Sequence, residues 1–369
     1  MSEPTIEKRV SWAELFFDLV FVFAITQVSA LLLGNHTGLG LLRAAVVFVP
    51  IYWAWVGSSI QANLRNTEQL TIRFALFAVA LAGLLMALGV PQAYGDRGVL
   101  FGAAYFGGRI VLALVATGGR HFAASPFTVA VSVSGPLLLI GGFLPSAART
   151  AVWAVAALID LSTPTVLKRR LAALRFDAGH LSERFGTFVL IAIGETVVAI
   201  GAPVAASDQL SAAVLLAVAV AFAIAVGLWW VYFHFAADAI RFALQTAKVQ
   251  VTVSRHVLSY AHLFFIGAII AVAVGMHEAI ARPSEPLAWS VAALLYGGSA
   301  LYLATFGYSR WMMFHLVSKT RLTAAAMVLI LLPVAPRLPA LLALTVLAVA
   351  LAALNVIELR TARHAAAVQ

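Results

Sequence analysis

VSWAELFFDLVFVFAITQVSALLL, residues Val10–Leu33, carries enough apolar helix to cross a bilayer and two carboxylates inside it. A bilayer core takes roughly 20 apolar residues of helix. Glu14 and Asp18 stand one turn apart and share a helix face, with Ser11 and Ser29 near the same stripe. Phe16, Phe17, Phe21 and Phe23 cover much of the rest. A charge at the bilayer centre costs about 2.5–3.5 kcal/mol, so a span holding two acids is read as a working part. Two close carboxylates resist double ionisation, which is the chemistry of a proton or cation site; salt bridges to interfacial Lys or Arg are the structural alternative. Lys8 and Arg9 give the segment the start of a secretory signal, but its acids and length predict a retained first span.

Outward from that stretch the chain keeps the same character. It is 63% hydrophobic and 11% charged, with a mean hydropathy of +0.99. Soluble domains carry about a quarter charged residues, so the class is a polytopic all-α membrane bundle. Cysteine is absent, which excludes disulfides, thiolate metal sites and cysteine nucleophiles. The net charge of +9 is read as membrane topology and not as nucleic-acid binding. There is no phosphate-binding glycine loop, HExxH or GxSxG, and no cofactor or metal is implied. Catalysis by an enzyme site is accordingly not the favoured expectation.

Apolar blocks predict about twelve spans, within a range of ten to twelve. They fall at 12–33, 39–61, 71–91, 98–117, 127–144 and 147–164, then at 184–203, 211–235, 256–275, 287–306, 321–335 and 339–357. The eleventh is short and flanked by Pro333, Pro336 and Pro339, as half of a hairpin would be. Eighteen of the 24 Lys and Arg residues, Arg120, Arg184 and Arg255 among them, fall on the side of the N-terminus. That bias predicts a bacterial inner-membrane protein with both termini cytoplasmic.

Residues 1–166 and 184–369 are read as two transmembrane halves joined by a basic connector, 167–183. Overlaying Glu14-Leu15-Phe16 on Glu183-Arg184-Phe185 makes the halves parallel six-helix repeats. Leu167, Leu171, Leu174 and Ala178 at helical spacing among basic residues suit an amphipathic helix on anionic headgroups; an ordinary basic stop after a span is the plainer reading. Bilayer lipid, those headgroups and a small solute or ion are the expected partners. Self-association as a homo-oligomer is compatible with the sequence.

Further polar groups sit at membrane depth. Glu195 lies about 18 Å along its span, flanked by Gly194 and Gly201, a small-residue face for close helix packing. Too deep to reach the interface, it must be protonated, paired or facing water. Arg109, midway along FGAAYFGGRIVLALV, needs a counter-ion, for which Glu195, Asp18 and Asp160 are the candidates. Asp160, in LIDLSTP, reads also as a helix-end feature before Pro164. His234 and His262 rank lower, because a lone membrane histidine is more often a packing residue. Trp12, Trp229 and Trp230 suit an interfacial belt.

RVSWAELFFDLVFVFAITQVS (Arg9–Ser29) and ERFGTFVLIAIGETVVAIG (Glu183–Gly201) resemble the bacterial low-temperature-requirement A (LtrA) family. LWWVYF (Leu228–Phe233) and the Tyr260–His262 region are similar too. The resemblance implies a multi-pass membrane protein tied by name to growth in the cold, with Glu14, Asp18 and Glu195 at signature positions. Where the family pattern implies an acid, this chain has His234. On these readings the expected activity is a proton- or cation-coupled secondary transporter. A lipid-related intramembrane enzyme or adaptor in cold adaptation, or a channel, stands as the alternative.

Overall fold

The computed structural model describes residues 8–118, 125–205, 210–234 and 236–367, with side chains through 363; Arg120 lies outside the described residues. All regular elements in them are helical. The principal helices are α1 (Trp12–Leu33), α2 (Gly38–Leu64), α3 (Leu70–Gly89), α4 (Gly98–Thr117), α5 (Pro126–Gly141), α6 (Ser146–Val166) and α7 (Ala178–Ala205). They continue as α8 (Ala212–Phe233), α9 (Ala236–Thr246), α10 (Gln250–Ala281), α11 (Trp289–Phe314), α12 (Lys319–Leu331) and α13 (Ala340–Ala367). Ten helical segments among the described residues are long and apolar enough to cross a membrane. The expected fifth span is the shorter α5, and the expected sixth is α6, which carries Arg149 and Asp160 in its interior.

The sequence explains where these helices begin and bend. Ser11 caps α1 through a reciprocal box with Glu14. Thr37 caps α2 and Ser211 caps α8. Gly118 closes α4 at φ +60°, a left-handed position that glycine takes without strain. In α5 a π-helical turn at Ala130–Ser134 precedes Pro136, whose missing N–H breaks the regular ladder.

The chain forms two compact units. The first comprises Met1–Phe188 with Leu244–Ser259, and the second Val189–Ala243 with Tyr260–Gln369. The divisions therefore fall inside α7, α9 and α10, not at the connector. Within the connector only Lys168–Leu171 is helical, a single turn. The amphipathic helix weighed for 167–183 is not continuous: the chain leaves helical geometry after Leu171 and re-enters it at Ala178, the start of α7. Asp177 explains that early start: its Oδ1 accepts the His180 N–H at 2.9 Å as an N-cap.

In the first unit α1 packs on α2 and α3, and α4 packs on α3 and α5. α1 turns Glu14, Phe17, Asp18, Phe21, Ile25 and Val28 inward, while Trp12, Phe16 and Leu19 stay exposed. That is the face arrangement of a helix between polar interior and lipid. Polar contacts lock both ends. At one, Lys8 Nζ donates to the carbonyls of Ala62, Asn63 and Arg65, and partial burial holds its ammonium below the usual lysine range. At the other, Arg149 donates to the carbonyls of Ala93, Gly95 and Gly142 at 2.6–2.9 Å.

In the second unit α8 packs along α13, where Asn355 Nδ2 donates to the Gly227 carbonyl at 3.2 Å. Arg321 in α12 grips Glu358 in α13 at 2.7 and 3.0 Å. Helix α12 leads through a short 3-10 turn, Ala335–Arg337, straight into α13.

Candidate functional site

The first acidic pair is gathered around a residue read from sequence only as the basic start of the seventh span. Arg184 lies inside α7, fully buried, and its guanidinium reaches three groups at once. Nη1 donates to Glu14 Oε1 at 2.5 Å, Nη2 to Asp18 Oδ1 at 3.1 Å and Nε to Ser59 Oγ at 2.9 Å. Phe17 lies under the guanidinium at 5.4 Å. Trp55 Nε1 donates to Asp18 Oδ1 at 2.7 Å, and its indole stacks on Phe188 at 3.9 Å. The other oxygen of Glu14 accepts from the Ser11 N–H and hydroxyl at 2.9 and 2.8 Å.

His180 completes the cluster, and its tautomer follows from the hydrogen bonds around it. The Asn63 amide is oriented by Asp177, whose N–H donates to Oδ1 at 3.1 Å and whose carbonyl accepts from Nδ2 at 2.9 Å. Asn63 Nδ2 therefore donates to His180 Nδ1 at 3.0 Å. Nε2 then carries the hydrogen and donates to Glu14 Oε1 at 3.0 Å, so the imidazole is neutral. Lys8 lies within electrostatic reach of Glu14 and Asp177. Counted together, Glu14, Asp18 and Asp177 against Arg184 and Lys8 leave one negative charge in excess unless the group holds a proton. Asp18 Oδ2 is buried without a hydrogen-bond partner.

Arg184 stands between the acids, the salt-bridged arrangement that is the structural alternative to a proton or cation site. The two carboxylates do not face each other bare.

A second cluster surrounds Asp160, fully buried in α6. Arg109 Nη2 lies 3.7 Å from its Oδ1, Ser134 Oγ donates to that oxygen at 2.6 Å, and the Tyr105 hydroxyl donates to Oδ2. The counter-ion of Arg109 is thus Asp160, not Asp18. Asp160 is no helix-end feature; it is bound by α4 and by the π-helical turn of α5, which carries Ser134. Arg109 Nη1 also donates to the Trp53 carbonyl at 3.3 Å.

Helix α2 separates the two clusters. Trp55 and Ser59, one turn apart, meet Asp18 and Arg184 on one face; Trp53 and Gly57 meet Arg109 on the other. On the Arg109 side runs a cavity of about 510 Å³.

The other expected residues lie in the second unit. Glu195 is 5% exposed in α7. Gly194 and Gly201 do not form a close-packing face, since a Cβ at either would meet nothing within 4 Å. His262 is buried, 2.7 Å from the Tyr232 hydroxyl and edge-on to Phe265. His234 ends α8, its N–H bonded to the Trp230 carbonyl and its ring stacked on that indole. Sequence reading missed Arg184, His180, Trp55 and Asn63. The signal that could have found the first two is Asp177, a capping residue just ahead of AGHLSERF.

Fold and buried ion pairs together define a polytopic α-helical membrane protein. The profile of the family described as bacterial low temperature requirement A protein (LtrA) matches residues 9–356, and the chain belongs to that family. A protein of Rhizobium meliloti (strain 1021), described as "Uncharacterized protein RA0937", is 32% identical over 321 residues. The match covers 82% of this chain and 77% of that protein. No solved structure matches.

Proposed function

We propose that this chain is a proton-coupled secondary transporter of a small solute, and that Asp18 carries the exchangeable proton. The observation that supports it is the charge of the Glu14–Arg184–Asp18 cluster. With His180 neutral, one proton balances the cluster, and Asp18 Oδ2 is the buried oxygen with no other partner. A purely structural pair needs one acid for one base. Losing or gaining that proton changes the grip of Arg184 on α1, which couples protonation to the contact between α1 and α7. Glu195 is a second coupling position in this reading. Counting α5 and α6 with the ten segments long and apolar enough to span makes twelve crossings, six before and six after the short helical turn Lys168–Leu171. An even count keeps both termini on one side, and the basic residues make that side the cytoplasm of a bacterial inner membrane.

Two measurements test the reading. Infrared difference spectra across a pH titration should contain a protonated-carboxyl band that Asp18→Asn removes and Glu358→Gln leaves. Proteoliposomes with a lumenal pH dye, screened over solute classes, should show solute-dependent proton movement that Asp18→Asn abolishes and Glu195→Gln weakens. If a transported solute moves at the wild-type rate and pH dependence in Asp18→Asn, the coupling role is lost. A lipid-related role is the second reading, favoured by the apolar walls of the cavity beside α2. An altered membrane lipid profile in cold-grown deletion cells, restored only by carboxylate-intact protein, would favour it.

A further inference from the structure

The cavity on the Arg109 face of α2 belongs wholly to the first unit. It extends from Arg65, just beyond the end of α2, to Trp53, a distance of about 18 Å at 1.5 Å per residue. Most of its wall is apolar, including Val56, Ile60, Phe127 and Leu171. Three guanidiniums line it, Arg65, Arg109 and Arg255, and no carboxylate does among the described residues. Asp160 balances Arg109 from behind.

Arg255 has no such balance. It is 9% exposed, and its Nη1 donates to the Pro164 carbonyl at 3.3 Å. Nη2 lies 2.9 Å from His256 Nε2, and Nε has no hydrogen-bond partner. Among the described residues neither Arg255 nor Arg65 makes an ion pair with a carboxylate. A buried guanidinium without counter-charge is costly, and its fork suits a carboxylate or phosphate. A cation finds no acid here. A small inorganic anion would satisfy the arginines but leave the long apolar wall against water. A neutral lipid would do the reverse.

We infer that this cavity is a binding site for an anionic amphiphile, a carboxylate or phosphate head held by Arg255 and Arg109 with an apolar body along α2. Its volume falls in the range of small-molecule sites. The inference goes beyond proton coupling, because occupancy is read without any flux.

The test is equilibrium binding to the purified full-length chain in neutral detergent. The probes are radiolabelled palmitate, short-chain phosphatidylglycerol and inorganic phosphate, with short-chain phosphatidylcholine as the neutral-charge control. Palmitate or phosphatidylglycerol should bind saturably, and the preferred one tells whether the ligand is a free fatty acid or a bilayer lipid. Arg255→Gln should weaken that binding at least tenfold, and Arg255→Lys should recover part of it. Gly57→Leu, which fills the cavity beside Arg109 and Phe127, should abolish it. Melting curves of each variant separate lost binding from lost fold. Binding unchanged in both Arg255→Gln and Gly57→Leu, or inorganic phosphate or phosphatidylcholine binding as tightly as the anionic amphiphiles, overturns the assignment. Saturable binding that depends on Arg255, without flux of any solute, leaves this site standing and removes the transporter reading instead.

Discussion

Arg184 shows how one side chain sets the energetics of a buried site. Its three donors hold two carboxylates and a hydroxyl, so removing it strands two buried acids without their cation. Breaking a buried pair by deleting one partner costs about 3–5 kcal/mol. Arg184→Met should therefore lower the melting temperature in detergent sharply, and adding Glu14→Gln with Asp18→Asn should recover much of the loss. If the single variant melts like wild type, the three groups are not a coupled unit. The cluster at Asp160 offers a milder probe. Tyr105→Phe deletes one charge-assisted hydrogen bond and should cost about 1.5–3 kcal/mol, read as a smaller melting shift without loss of monodispersity. The acids themselves were legible, because a carboxylate in an apolar run stands out by its cost. Their partners were not, because Arg184 stands where a basic connector meets the next span and reads as an ordinary interfacial charge.

At the level of elements, close approach is decided by what faces a helix and not by which residues are small. Gly102 of α4 lies against the backbone of α5, where an added Cβ would come within 2.3 Å of the Leu138 carbonyl. Gly102→Val should force the two helices apart and lower stability by more than about 2 kcal/mol, on the scale of a severe overpacking change. Gly194→Ala and Gly201→Ala should be neutral or stabilise by up to about 1 kcal/mol through helix propensity, since their surroundings are open. Thermal melting of the three variants side by side checks this contrast. Equal losses in all three would mean that α7 packs more tightly than described. Helix lengths follow from apolar run length and capping residues, and the inward face of α1 from the stripe shared by Glu14, Asp18 and Ser29. The π-helical turn that carries Ser134 and the start of α7 at Ala178 depend on local backbone chemistry around Pro136 and Asp177, which a hydropathy reading passes over.

For the whole molecule, the absence of cysteine is an experimental gift. Arg9→Cys, Arg97→Cys and Arg360→Cys each introduce a single thiol at an exposed position. Membrane-impermeant maleimide applied to intact cells should label the residue-97 variant and spare the other two. The opposite pattern would invert the proposed orientation, and labelling of the 9 and 360 variants on different sides would break the even count of crossings.

By itself the sequence determined that this chain is a helical membrane protein, where most long apolar helices lie, and that Glu14, Asp18, Arg109, Asp160 and Glu195 set ionisable groups within apolar stretches. It could do so because each inference rests on contiguous hydrophobic length or on the local cost of one charge. Only the tertiary structure decided that Arg184 answers Glu14 and Asp18, that Asp160 answers Arg109, and that α2 separates the two. Those choices join residues more than a hundred positions apart in one cluster and about fifty in the other. Long-range electrostatic pairing of that kind leaves no periodic trace in a single chain.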